Sequence, residues 1–117
     1  MIEKIVEVLQ QEFKRVSATP TSKLPPGDLL VTLSRAPIVV TDPNTYRIDW
    51  TYSISFTHSD VVHIEETIRR IIQCLECLDI PLLYVSGTPT ITLLGKYYMV
   101  DMKFVVREEL MCCKEEE

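Results

Sequence analysis

Any chemistry in this chain would start from a few cysteines, histidines and carboxylates. Cys74-Leu75-Glu76-Cys77 is the sharpest motif, because a CxxC pair can hold zinc or run thiol redox chemistry. A four-thiolate zinc site needs a second pair of similar spacing, and the two remaining cysteines, Cys112 and Cys113, are adjacent, which splays their side chains. Redox CxxC pairs gain thiolate character at a helix N-terminus. Here the pair falls in the last turn of an amphipathic segment, where the helix dipole works against a thiolate. Small, semi-buried helix residues are the simpler account of Cys74 and Cys77. His58, Ser59 and Asp60 carry the letters of a catalytic triad, yet consecutive residues at a strand end cannot adopt its relay geometry. They suit a capping turn, with Ser59 or Asp60 as the cap and His63 solvated or assisting it. A metal site built from His58, Asp60 and His63 is the alternative those residue types allow. No GxGxxG, GxxxxGK, HExxH or GxSxG pattern occurs. The chain is therefore read as non-enzymatic, with no catalytic, cofactor-binding or metal residue and no cofactor.

The elements that would position these residues follow from periodicity. From Tyr46 to Thr57 the chain alternates without a break: Tyr46, Ile48, Trp50, Tyr52, Ile54 and Phe56 are apolar or aromatic, and the residues between them are polar. Period-two alternation is what a strand gives when one face packs on a core and the other does not. About eleven residues at roughly 3.3 Å each would span close to 36 Å, long for a small domain. Such a strand must bend strongly or reach a neighbour. Tyr98, Val100, Met102, Phe104 and Val106 predict a second long strand over about 97–107. Ile2, Ile5, Val6, Leu9, Phe13 and Val16 recur at helical spacing and predict a helix over 2–16; Val61, Ile64, Ile68, Ile71, Leu75 and Leu78 predict another over 60–78. Leu29 to Leu33 and Ile38 to Val40 are strand pieces broken at Pro37, which points to an edge or a bulge. Leu82 to Val85 and Thr90 to Leu94 are two shorter strands. Residues 17–28, with three prolines and a glycine, predict a mobile loop.

At 117 residues this is the size of one domain, and a composition 46% hydrophobic and 25% charged supplies a core. The net charge of -5 is concentrated at the end: Glu108, Glu109, Glu115, Glu116 and Glu117 lie in the last ten residues, and the rest is nearly neutral. A neutral body with a negative end is a poor binder of phosphate backbones. No apolar run is long enough to span a bilayer and the start lacks the plan of a signal peptide, so the chain is read as intracellular with reduced thiols. The expected fold is α+β: a mainly antiparallel sheet of four to five strands, with an N-terminal and a central helix packed on it. Residues 1–107 would form the domain and 108–117 an acidic, frayed tail.

The order of elements, with the Arg35-Ala36-Pro37-Ile38-Val39-Val40 piece, the Tyr46 to Thr57 strand and the helix from Asp60, resembles the tail terminator (tail completion, neck) proteins of tailed bacteriophages. That resemblance covers most of residues 1–107 and lies in element order, size and pattern. It implies a ring, usually of six subunits, that caps a tail tube and presents a surface to the head connector. The chain would then be cytoplasmic during assembly and part of the virion afterwards, with tail tube and head connector proteins as partners. Residues expected at subunit or partner interfaces are Arg47, Asp49 and Thr51 on the polar face of the long strand, Lys23 and Asp28 in the loop, and Ser86 and Thr88 in the turn before the closing strands. Two other assignments fit the same residues: an adaptor subunit of another assembly, or a small ligand-binding protein with an apolar pocket.

Overall fold

The computed structural model describes residues 2–19, 24–78, 80 and 83–111. Its backbone is organised on two long strands, β4 (Thr45–His58) and β7 (Tyr97–Met111). Every residue of the 14-residue β4 faces a partner on β7, from Thr45 opposite Met111 to His58 opposite Tyr98. Cross-strand partners share a face, so Trp50, Tyr52, Ile54 and Phe56 lie on the same side as Val106, Phe104, Met102 and Val100. That side is the core. Ile54, Phe56 and Val100 are wholly buried there, and the alternation of the sequence sets the register.

Shorter strands flank the central pair. β2 (Leu29–Arg35) and β3 (Ile38–Asp42) lie end to end along the outer edge of β4, separated at Ala36-Pro37. β5 (Leu83–Val85) and β6 (Thr90–Leu94) lie end to end along the outer edge of β7. β1 (Val16–Ser17) runs parallel to β2. Gly95, at a φ of 61°, makes the two-residue turn from β6 into β7, a left-handed conformation that glycine adopts without steric cost. At the β3 to β4 turn the Asn44 amide donates to Asp42 Oδ1 at 2.9 Å, the Asx geometry expected of that Asp-Pro-Asn run.

Two helices, α1 (Ile2–Gln10) and α2 (Val61–Glu76), cover one face of the middle of the sheet. Ile5 and Leu9 from α1, and Ile64, Ile71, Cys74 and Leu75 from α2, join Leu29, Val31 and the central strands in one core. Burial of this apolar surface is the main stabilising term of such a domain. Asp60 caps α2, its carboxylate accepting from the Val62 amide at 2.9 Å.

The expected sheet needs correction. Among the described residues there are seven strands, not four to five, and the sheet is mixed because β1 pairs parallel to β2. The class remains α+β. One of the extra strands, β1, comes from the end of the expected first helix: α1 stops at Gln10, and the Arg70 guanidinium lies over Phe13, 4.5 Å from its ring centre. Val16, apolar at a helical interval, instead lies beside Leu29 on the edge of the sheet. A β-branched residue satisfies either periodicity, and the free edge of β2 decides. β7 also runs four residues past the expected end, through Met111, because the matching length of β4 supplies a ladder for Glu108–Met111.

The molecule is long, about 60 × 26 × 23 Å. α2 starts at the His58 end of the ladder, where His63 stacks on His58, and the helix layer leaves bare the other end, where Ile38, Val40, Tyr46 and Leu110 are exposed.

Candidate functional site

The face of the sheet away from the helices is polar and cross-braced. Lys103 Nζ donates to Ser53 Oγ at 2.6 Å and pairs with Asp101 Oδ2 at 3.3 Å, while Ser55 Oγ donates to Asp101 Oδ1 at 3.2 Å. A serine beside a lysine brings nucleophile-and-base chemistry to mind. Here the ammonium is committed to a carboxylate and donates to the serine, so it holds no free lone pair with which to take a proton. The four side chains act as a brace between β4 and β7. Sequence could not pair them, since Ser53 and Lys103 lie 50 positions apart.

Further along the same face Asp49 is shared by two arginines. Arg107 Nε donates to Asp49 Oδ1 at 3.1 Å. Arg47 Nε, a buried atom, sits 3.5 Å from the same oxygen without hydrogen-bond geometry. Arg107 also reaches Tyr84 Oη and lies over its ring. The bond to Asp49 is the main influence keeping the Arg107 guanidinium even more firmly charged than usual. Thr51 is buried, and its hydroxyl donates to the Asp49 carbonyl at 3.2 Å. Arg47, Asp49 and Thr51, expected together as a solvent-facing strand surface, thus lie on one face but spend much of their bonding capacity within the chain. The other expected site residues are scattered. Asp28 is half-buried and 3.9 Å from Arg15; Ser86 donates its amide to the Lys103 carbonyl; Thr88 is exposed in the turn between β5 and β6. Lys23 lies outside the described residues.

The chemically suggestive motifs settle into packing and capping. Cys74 is buried, and desolvation, then Glu12 and Cys77, push its thiol above the ordinary cysteine value, away from a reactive thiolate. Cys77 is exposed, and Cys112 and Cys113 lie outside the described residues. His58 and His63 stack with ring centres 5.2 Å apart and planes 11° from parallel, and His63 Nδ1 is 3.0 Å from Asp60 Oδ2. Stacked rings do not converge their nitrogens on one point, and among the described residues no group of three His, Cys, Asp or Glu could hold a metal.

On the helix-bearing face, apolar side chains are uncovered at the Thr45 end of the ladder and along β6. At that end Ile38, Val40, Tyr46 and Leu110 are exposed, in register across β3, β4 and β7. Along the side edge, Ile91 and Leu93 of β6 are exposed on the same face as Val100 and Tyr98, which pack in or against the core. Where the helix layer stops over β4, a cleft of about 660 Å³ opens, lined by Trp50, Tyr52, Ile80, Val106 and the chain from Arg107 to Glu109. Trp50 Nε1 donates to Glu108 Oε1 at 2.8 Å at its wall. Contiguous apolar surface of this kind marks a site of contact. The sequence carried a signal for these patches: two five-residue β-branched strands, each next to a proline. The expectation favoured polar, exposed positions and passed over them.

No family model matches the chain, and no curated protein matches it. Among the described residues no helix is long and apolar enough to cross a membrane.

Proposed function

We propose that this chain is a structural assembly subunit, of the kind the resemblance to phage tail terminators implies: one of several copies, usually six, forming a ring that caps a tail tube and meets the head connector. It acts by contact, without turning over a substrate, and ends as part of the virion. The observation that carries this is that the helix layer leaves bare the Thr45 end of a 14-residue central ladder and the outer edge at β6, so that apolar side chains of β3 and β6 are exposed. None of these exposed side chains belongs to the core. An assembly uses them. The order of elements and the proline-broken strand at β2 and β3 support the terminator form of assembly over a generic adaptor.

Light scattering on the purified chain, followed by negative-stain imaging, tests this. Closed rings with an open centre are expected. A monomer at high concentration, binding a small ligand in the cleft beside Trp50, would overturn the proposal.

A further inference from the structure

Among the described residues the outer edges of the sheet are formed by β1, β3, β5, β6 and the part of β2 beyond Leu30. An irregularity between Leu33 and Arg35 interrupts the last of these, and the edges are not alike. β1 and β5 are two and three residues long, too short to template much pairing. β3 and β6 have five residues each, are exposed along their whole length, and among the described residues pair on one side only. Neither contains a lysine or an interior proline, the usual means of keeping an edge from pairing. We propose that these two edges join to each other between copies, β3 of one chain adding to β6 of the next. This rests on the assembly proposed above and names its contact.

Three independent features of the two strands agree. The first is direction. β3 is antiparallel to β4, β4 to β7, and β7 to β6, so β3 and β6 point oppositely in one chain. Copies that extend the sheet in one orientation therefore meet antiparallel.

The second is which backbone groups are free. The Asp49 amide donates to the Pro37 carbonyl, so by alternation Val39 bonds inward to β4 while Ile38 and Val40 turn their N–H and C=O groups outward. On the other edge the Ser86 amide donates to the Lys103 carbonyl. By the same alternation Thr90 and Thr92 bond inward to Asp101 and Met99, leaving Ile91 and Leu93 turned outward.

The third is the side chains. Ile38 and Val40 lie on the helix-bearing face, as do Ile91 and Leu93. Exposures of 67% and 63% on β3, and 52% and 63% on β6, leave each pair to be covered.

One register meets all three conditions at once: Ile38 beside Leu93 and Val40 beside Ile91 of the next copy, with Val39 beside Thr92 on the open face. Pro37 and Pro89 then fall just outside the two ends of the ladder and limit it, since proline supplies no donor. The contact is head-to-tail, so each chain offers one β3 and one β6, and a closed ring leaves neither edge open. β3 and β6 sit at opposite ends of the ladder, so the strands tilt relative to the ring axis, as they do when a sheet closes into a barrel.

The test uses the full chain. Val40→Lys and Ile91→Lys place a charge on already exposed positions and should each abolish the oligomer in light scattering while the chain still unfolds cooperatively, at the lower midpoint of an unassembled subunit. Val62→Lys, equally exposed but on α2, should leave it intact. In a background with the four cysteines replaced, Val40→Cys and Ile91→Cys chains are mixed under mild oxidation. Residues directly opposite in a hydrogen-bonded antiparallel pair lie about 5.5 Å apart, within disulfide reach. A disulfide-linked dimer from the mixture, and none from either variant alone, is the expected result. Linkage of Val40→Cys with itself would overturn the proposal in favour of a two-fold contact. An oligomer indifferent to both lysines would overturn the strand pairing but leave the assembly standing. A wild-type chain that stays monomeric would remove both.

Discussion

Phe56 and Asp60 are four residues apart and do opposite kinds of work. Phe56 is wholly buried in the core that the sheet shares with the helices. Phe56→Ala should destabilise the chain by about 3–5 kcal/mol in urea denaturation, through lost transfer free energy and the cavity left behind. Asp60, by contrast, is exposed and acts through one backbone hydrogen bond. That bond to the Val62 amide is the main reason its carboxyl lies below the ordinary value, with His63 adding less. A group with a depressed native pKa stabilises fully above its unfolded value and loses that contribution as pH falls through the native one. Wild type should therefore hold its full advantage over Asp60→Ala at neutral pH and lose it in acid. Asp60→Asn keeps a capping oxygen but has no such titration. Comparing the three by denaturation at neutral pH and below the carboxylate range checks both statements.

Among the elements, the long strands were the most legible and α1 the least. Tyr46 to Thr57 alternates without interruption, and the structure extends that strand by one residue at each end. α2 falls within two residues of its expected bounds because its apolar step and the Asp60 cap agree. α1 was expected to reach residue 16, since Phe13 and Val16 keep helical spacing. Spacing alone does not reveal that Arg70, 57 positions beyond Phe13, lays its guanidinium on that ring and donates to the Glu12 carbonyl. Arg70→Lys keeps the charge but loses the planar group that stacks and donates together. It should cost about 1 kcal/mol and show first as faster amide exchange in α1 and β1. β1 and the parallel pairing were illegible for the same reason: two residues carry no period. The end of β7 was read as tail because Glu108 and Glu109 look like solvated charge. In the sheet Glu109 lies opposite Arg47, and Glu108 accepts from Trp50. A chain ending at Arg107 should therefore keep its core but lose exchange protection along Thr45–Ile48.

At the scale of the whole molecule, the candidate surface was legible only as composition, two β-branched strands each next to a proline, because exposure is a property of the sheet's outline. Ile38 and Ile91 read like any strand residues, and only the topology shows that the helix layer leaves both uncovered. Contacts built from such side chains and from backbone bonds respond to solution conditions in a characteristic way. The proposed assembly should hold or strengthen as salt is raised and weaken on cooling, in contrast to one held by surface ion pairs. Sedimentation velocity at two salt concentrations and two temperatures distinguishes them, and dissociation by salt would count against the apolar edges. One further consequence follows from where the helix layer ends. The chain has a single tryptophan, Trp50, and it stands at that step with its indole N–H bound to Glu108. Its emission is thus an optical gauge built into the junction between the covered and uncovered parts of the sheet. Whatever comes to lie over the uncovered part, a second copy or the end of a tube, will shift the colour of that one fluorophore and shield it from a dissolved quencher.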